Sequence, residues 1–451
     1  VLRPVYGSQL PPAALQNWFL KVAIFHHKGT TSLDEPKAEE LLAAIESFLA
    51  QCRKPAALEF GEQAIPLLAG QFALEIRSGK LSLEIWTDNR SITRRIVDID
   101  RASTSALDCI IYKFANRPSR ITFLDLARPQ TAHRQLSGLR QSFAEEFRAM
   151  LTRQFPGWEI RTLTVAQDLR RTFSGVYPRA HLSHKQQRIA ALACAEPELE
   201  HDLLAFALIW YEHVRASCIG NFTVSLALFL PRDCGNQTAQ RLRWLNKDRL
   251  KFSIFLFNEH GSAGMVDLAD LGNLQTEVAT QPTLPPSAVQ VAGGPPERWL
   301  ETVVRASLTT INPFLRPEPV HRQVLTLAGT DRDLIDLLAV TTDGRLCVLE
   351  LKASEDLQLP IQALDYWMRI YWHARRQELN HLFPQIPLLT LPPKLILLAP
   401  ALQFHSTSAT ILHYFSSLID VERVGVNTEW REQLRVTLRL HGAEIPASHQ
   451  I

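Results

Sequence analysis

A chain of 451 residues exceeds one ordinary hydrophobic core, so two or three domains are expected. Its 46% apolar content fits a soluble globular protein, and a net charge of +2 excludes a general polyanion binder, confining any basic surface to a patch. No run of about eighteen apolar residues could span a membrane, no signal peptide is expected, and six cysteines (Cys52, Cys109, Cys194, Cys218, Cys234 and Cys347) lack C-x-x-C spacing, which suits reduced thiols in a cytoplasmic setting better than a zinc site or a disulfide framework.

Residues 1–128 read as a β-rich N-terminal domain. After an irregular start, a helix is expected over residues 36–51. Phe72-Ala-Leu-Glu-Ile-Arg77 and Leu81-Ser-Leu-Glu-Ile-Trp86 alternate on either side of Ser78-Gly79-Lys80, a hairpin signal. Strands at 92–99, 108–114 and 120–126 then complete a meander of about five. Arg90, Arg94 and Arg95 gather at one connection, and Lys113, Arg117 and Arg120 at another. They suit a phosphate-contacting β surface or, the preferred reading, a solvated edge where cations prevent aggregation.

Residues 129–271 form an α/β middle region. An amphipathic helix over 131–155 leads into its most basic stretch: Arg161, Arg170, Arg171, Arg179, Lys185 and Arg188, with His181 and His184. Phe173 and Tyr177 are interleaved, so Arg170, Arg171, Arg179 and Lys185 are candidate nucleic-acid contacts, the alternative being ordinary surface. A helix (198–217), strand (221–230), helix (238–246) and strand (251–257) imply a parallel pair. Pro231-Arg-Asp-Cys-Gly235 lacks the spacing of a phosphate-binding loop. A degenerate relative of the C-terminal fold is conceivable here, although no motif carries it.

Residues 272–296, rich in proline and glycine, read as a linker. Pro295-Pro296 then open a helix with Trp299, Leu300, Val303, Val304 and Leu308 on its apolar face. In 334–372 two apolar strands meet at Thr342-Asp343-Gly344. Asp336 interrupts the first strand, and Glu350 and Lys352 the second. Burying such groups is costly without a partner, and a divalent cation is the simplest partner for two carboxylates. Parity puts Glu350 and Lys352 on one face. A three-residue loop pairs Thr341 with Arg345, gives Gly344 the positive φ, and sets Asp336 opposite Glu350; a two-residue turn would turn Asp336 away. On the following helix Gln362, Tyr366, Arg369 and His373 form one stripe that could meet a phosphate and its neighbours. A strand at 394–399, a helix at 408–419 and strands at 421–426 and 434–440 extend the α/β core.

Asp336, Glu350-x-Lys352 and Gln362-x-x-x-Tyr366 together resemble the PD-(D/E)xK, or restriction-endonuclease-like, nuclease superfamily, with Ile335 in place of its proline. The likeness covers the C-terminal third. It implies a mixed sheet flanked by helices over 297–451. It also implies Mg²⁺ or Mn²⁺ on Asp336, Glu350 and the Leu351 carbonyl, Lys352 orienting the attacking water, and Gln362 and Tyr366 supporting the site. A helix carboxylate near the metal is assigned to Glu301, whose alternative is a surface pair with Arg305. The expected function is metal-dependent endonucleolytic hydrolysis of DNA, with the N-terminal region selecting substrate or partner and a homodimer compatible with the sequence. The alternatives are a non-cleaving nucleic-acid binding protein and an RNA-acting or partner-activated nuclease.

Overall fold

The computed structural model describes residues 34–59, 65–77, 79–87, 90–102, 106–112, 118–127, 130–168, 172–232, 234–258, 260–271, 276–279, 296–328 and 331–445. Three sheets, one antiparallel and two mixed, are flanked by helices in a multidomain α/β protein.

The first helix, α1 (Asp34–Gln51), covers a sheet of β1 (Pro55–Glu59), β2 (Ile65–Pro66), β3 (Phe72–Arg77), β4 (Lys80–Thr87), β5 (Arg90–Ala102), β6 (Ala106–Tyr112) and β7 (Pro118–Asp125), ordered β2-β1-β7-β6-β5-β4-β3. Alternation along β4 turns Leu81, Leu83 and Ile85 into the core beside Ile45 of α1. The meander β3–β7 follows the expected pattern. Strands β1 and β2 were not expected, because Pro-Ala-Ala-Leu-Glu is buried almost throughout and shows no alternation. Arg94 is neither a phosphate contact nor a solvated edge: it is 7% exposed and its Nε and Nη2 donate to Glu59. The side chains of Arg90, Lys113 and Arg117 lie outside the described residues.

The middle unit runs α2 (Gln130–Gln154), β8 (Glu159–Thr164), β9 (Arg179–His184), β10 (Gln187–Ala193), α3 (Glu200–Ser217), β11 (Thr223–Pro231), α4 (Asn236–Leu242), β12 (Phe252–Phe257) and β13 (Ala263–Val266). Strands β11 and β12 are parallel, as the helix between them requires. The C-terminal unit runs α5 (Pro296–Ala306), α6 (Leu308–Ile311), β15 (His321–Ala328), β16 (Asp331–Val340), β17 (Leu346–Leu351), α7 (Leu359–Ala374), β18 (Lys394–Pro400), α8 (Ser408–Leu412), β19 (Asp420–Val426) and β20 (Val436–His441). Its edge strand β14 (Thr276–Ala279) lies inside the expected linker and pairs antiparallel with β15.

The two mixed sheets are built alike. Strands β8 to β13 and β15 to β20 each lie side by side in chain order, with two antiparallel, two parallel and one antiparallel neighbour pairing. Helices α3 and α7 enter one continuous core between the sheets, with Leu203, Leu208, Trp210, Leu364, Trp367 and Ile370 all buried. The expected domain boundary therefore separates sheets but not cores. The outer faces are closed by α2 on Phe229 and Phe255 and by α5 and α6 on Leu337, Leu349 and Leu398.

The turn between β16 and β17 has the three-residue form. Thr341 N donates to Arg345 O at 2.8 Å, and Gly344 takes a φ of 91°. A Cβ on Gly344 would lie 2.2 Å from Pro387 O, a backbone atom that cannot swing away. Gly344→Ala therefore combines left-handed strain with a clash, and should cost about 2 kcal/mol or more. A denaturant midpoint equal to that of the unaltered chain would show the turn is not held this way.

Candidate functional site

Register carries Asp336 to Glu350. Pairs Val340 with Leu346, Ala339 with Cys347, Leu338 with Val348 and Leu337 with Leu349 run toward the sheet end, and the next pair would be Asp336 with Glu350. Thr341 N donates to Arg345 O across the closing pair, so alternation makes 336–350 a non-bonded pair, the kind that brings side chains closest. The two carboxyl groups act on each other at close range, and Leu351 N donates to Asp336 Oδ2 at 2.8 Å. In an extended residue N–H and C=O face one edge, so the Leu351 carbonyl opens toward Asp336 as well.

Glu350 is 1% exposed and its Oε2 has no hydrogen-bond partner. Lys352, 7% exposed, lies 3.7 Å from Asp356 and interacts with Glu297, Glu350 and Asp336. Burial pushes Asp336 up to about 6 against the pull of Lys352 and the Leu351 N–H. Burial likewise lifts Glu297 to about 7, opposed by Lys352 and reinforced by Asp336. Glu350 is raised well above the carboxylate range by burial and then by Asp336. Lys352 is raised: its carboxylate neighbours outweigh the burial that would lower it. One ammonium thus faces four acidic groups in a poorly solvated place. Among the described residues no three His, Cys, Asp or Glu side chains are arranged to hold a metal ion. The available donor set is two carboxylates and a backbone carbonyl, with one carboxylate oxygen unsatisfied, and this fits a hard cation.

Helix α7 brings Gln362 and Tyr366 to the inner side of the sheet, 7% and 1% exposed, with Gln362 Nε2 donating to the Tyr366 hydroxyl at 3.0 Å. Arg369 and His373 continue the stripe but are each 5% exposed; Arg369 acts on Asp365, and His373 Nδ1 pairs with Glu378 at 2.6 Å. A ligand on the protein surface would not reach them in this arrangement. Glu301 is 6% exposed and paired with Arg322 at 3.3 Å, while Glu297, one turn earlier, stands among the groups around Lys352. The sequence assignment went to Glu301; Glu301 acts on Asp336 and Glu297 on Lys352, and residues one helical turn apart share a face, so phase alone does not separate them. Asp356 was missed, although its i,i+4 spacing from Lys352 was a readable signal.

The basic stretch does not form one strip. Arg179 lies within β9, 6% exposed, 4.3 Å over the Phe173 ring, with Nη2 donating to Ala166 O at 2.6 Å. Tyr177 is buried, Lys185 is exposed in the β9–β10 turn, and Arg170 and Arg171 lie outside the described residues. The N-terminal sheet reaches the other side of the site, where Arg298 of α5 bonds Glu84 at 2.7 Å and Arg94 acts on Glu297.

A pH dependence follows from the raised carboxylates. A folded-state pKa above the unfolded one means the folded chain holds more protons, so this stabilisation is complete below about 4 and lost as pH rises through about 6 and 7. Between pH 5 and 8 in EDTA, Tm should fall more steeply for the unaltered chain than for Asp336→Asn or Glu297→Gln. Parallel curves would refute the clustering of charge.

No protein-family model, no curated protein and no solved structure matches the chain.

Proposed function

We propose that the chain is a metal-dependent nuclease that hydrolyses DNA phosphodiester bonds at the end of strands β16 and β17, as a member of the PD-(D/E)xK superfamily. The observation that carries this reading is the buried pair Asp336 and Glu350, in mutual contact beside Lys352, with Glu350 Oε2 unsatisfied. Asp336, Glu350 and the Leu351 carbonyl would hold Mg²⁺ or Mn²⁺, and Glu297, rather than Glu301, is the helix carboxylate best placed beside them. When bound, the ion supplies Lewis acidity to the phosphoryl oxygen and lowers the pKa of water. Lys352, kept protonated by its acidic neighbours, orients the attacking water and offsets negative charge gathering on the phosphoryl group. Gln362 and Tyr366 fix the wall beneath it. The water oxygen bonds to phosphorus as the P–O bond to the leaving sugar breaks, and the leaving oxygen takes up a proton.

The test is a panel of single-stranded, duplex, branched and RNA substrates with Mg²⁺, Mn²⁺, Ca²⁺ or EDTA. Cleavage of DNA in Mg²⁺ and Mn²⁺, little in Ca²⁺, and none in EDTA is expected. No cleavage of any substrate, or cleavage that survives EDTA, overturns the reading. Because ligand carboxylates must lose protons, Mn²⁺ should also raise Tm more at pH 8 than at pH 5.5.

A further inference from the structure

The repeated architecture offers a second place where such a site could stand. Asp336 and Glu350 each lie five residues from the closing pair Thr341 and Arg345; Arg179 and Leu192 each lie five residues from the closing pair His184 and Gln187, and they face one another across β9 and β10. Lys352 N donates to Leu398 O at 2.9 Å, and Cys194 N donates to Phe229 O at 3.0 Å, with Leu351–Leu398 and Ala193–Phe229 as matching parallel pairs. Arg179, Leu192 and Cys194 therefore occupy the places of Asp336, Glu350 and Lys352. Counted from the helix starts, Leu203 and Ala207 of α3 stand where α7 has Gln362 and Tyr366, and both are fully buried. A guanidinium over an aromatic ring, a leucine and a thiol bonded to Glu196 O offer a hard cation no side-chain oxygen and no anionic ligand.

The units also meet as two copies would. Leu245 follows α4 and Phe415 follows α8 at the same spacing, and the two residues form an antiparallel bridge. Asn246 N donates to Tyr414 O and Ser416 N to Trp244 O, both at 2.8 Å, so each bond is the other's image. Trp244 packs on Trp367 and Tyr371 of α7, and Tyr414 on Tyr211 of α3. Contact of equivalent positions with one another is the mark of a two-fold axis.

We infer that the chain is a pseudo-dimer within one polypeptide, its middle unit a catalytically silent copy, and that it cuts one strand of a duplex per binding event. This rests on the function proposed above. The strands of a duplex are related by two-fold axes, so a two-fold protein with two working sites would address both strands. With Arg179, Leu192 and Cys194 in the second site, a single P–O bond is hydrolysed with one water, leaving one phosphate and one hydroxyl end.

A supercoiled plasmid incubated with the full chain in excess and Mn²⁺ tests this. Nicked circles should accumulate to near completion before linear product forms, and Cys194→Ala should cut within about two-fold of the unaltered rate while Lys352→Ala cuts at least about a hundred-fold more slowly. Linear product forming together with nicked circles from the outset, or an equal loss in Cys194→Ala, overturns the silent copy while leaving the nuclease reading intact. No relaxation of the plasmid at all, or undiminished cutting by Lys352→Ala, overturns the nuclease reading and the inference with it.

Discussion

Glu350→Gln should abolish metal-dependent cleavage, lowering the rate by about a thousand-fold or more, and should raise the Tm of the metal-free protein at pH 8. Both effects come from one physical cause. Glu350 is 1% exposed, in contact with Asp336, and raised far above the carboxylate range by burial and by that neighbour. An amide of the same size removes the charge that burial penalises, so the fold gains stability where the ionised form would dominate. The same change removes the unsatisfied Oε2 as an anionic ligand, and of the strand ligands proposed for the ion only Asp336 and the Leu351 carbonyl remain. The opposite signs separate chemistry from collapse: a variant that misfolds loses both activity and Tm. Asp336→Asn should follow the same pattern. Glu301→Gln should lose Tm instead, since it breaks the contact with Arg322. Undiminished cleavage by Glu350→Gln, measured at saturating Mn²⁺, would remove Glu350 from the site.

What could be read in the sequence was what alternation and local spacing encode. Strands β16 and β17 carry charges in apolar runs, and the Thr342-Asp343-Gly344 loop sets their relative register, so the meeting of Asp336 with Glu350 follows from parity along the two strands. The hairpin β3–β4 was legible for the same reason. Strands β1, β9 and β15 were not, because Pro-Ala-Ala-Leu-Glu is buried on both faces and Arg-Ala-His-Leu-Ser-His hides its arginine against Phe173. A buried arginine looks like a surface one until its tertiary partner is known. The repeat, raised from the sequence, carried no motif for a related reason: Arg179, Leu192 and Cys194 preserve the strand geometry of Asp336, Glu350 and Lys352 and none of their chemistry.

Arg241 shows how far such partners can lie. It sits on the short helix α4, is fully buried, and clamps Asp365 of α7 with Nε to Oδ1 at 2.8 Å and Nη2 to Oδ2 at 2.6 Å. Gln237 adds a third donor to Oδ2 at 3.0 Å, and Arg241 also donates to the carbonyl of His201. Burial would raise Asp365, but the charge and hydrogen bonds of Arg241 outweigh it and hold the carboxyl down to about 2. The stabilisation is therefore present above the ordinary 3.8 and lost as pH falls toward 2. Arg241→Ile leaves that carboxylate buried without its counter-charge and should cost about 3–5 kcal/mol in urea unfolding. Isoleucine is a fair replacement in shape, since Ile411 occupies the matching place, four residues before Phe415 as Arg241 is before Leu245. Adding Asp365→Leu should restore most of the loss, because a buried ion pair exchanged whole for apolar groups costs little. Since Asp365 adjoins Tyr366, the single variant should also slow cleavage and the double variant should recover it. A single variant with an unchanged urea midpoint, or a double variant no better than the single, would show that the joint between the two units is held by its apolar core alone.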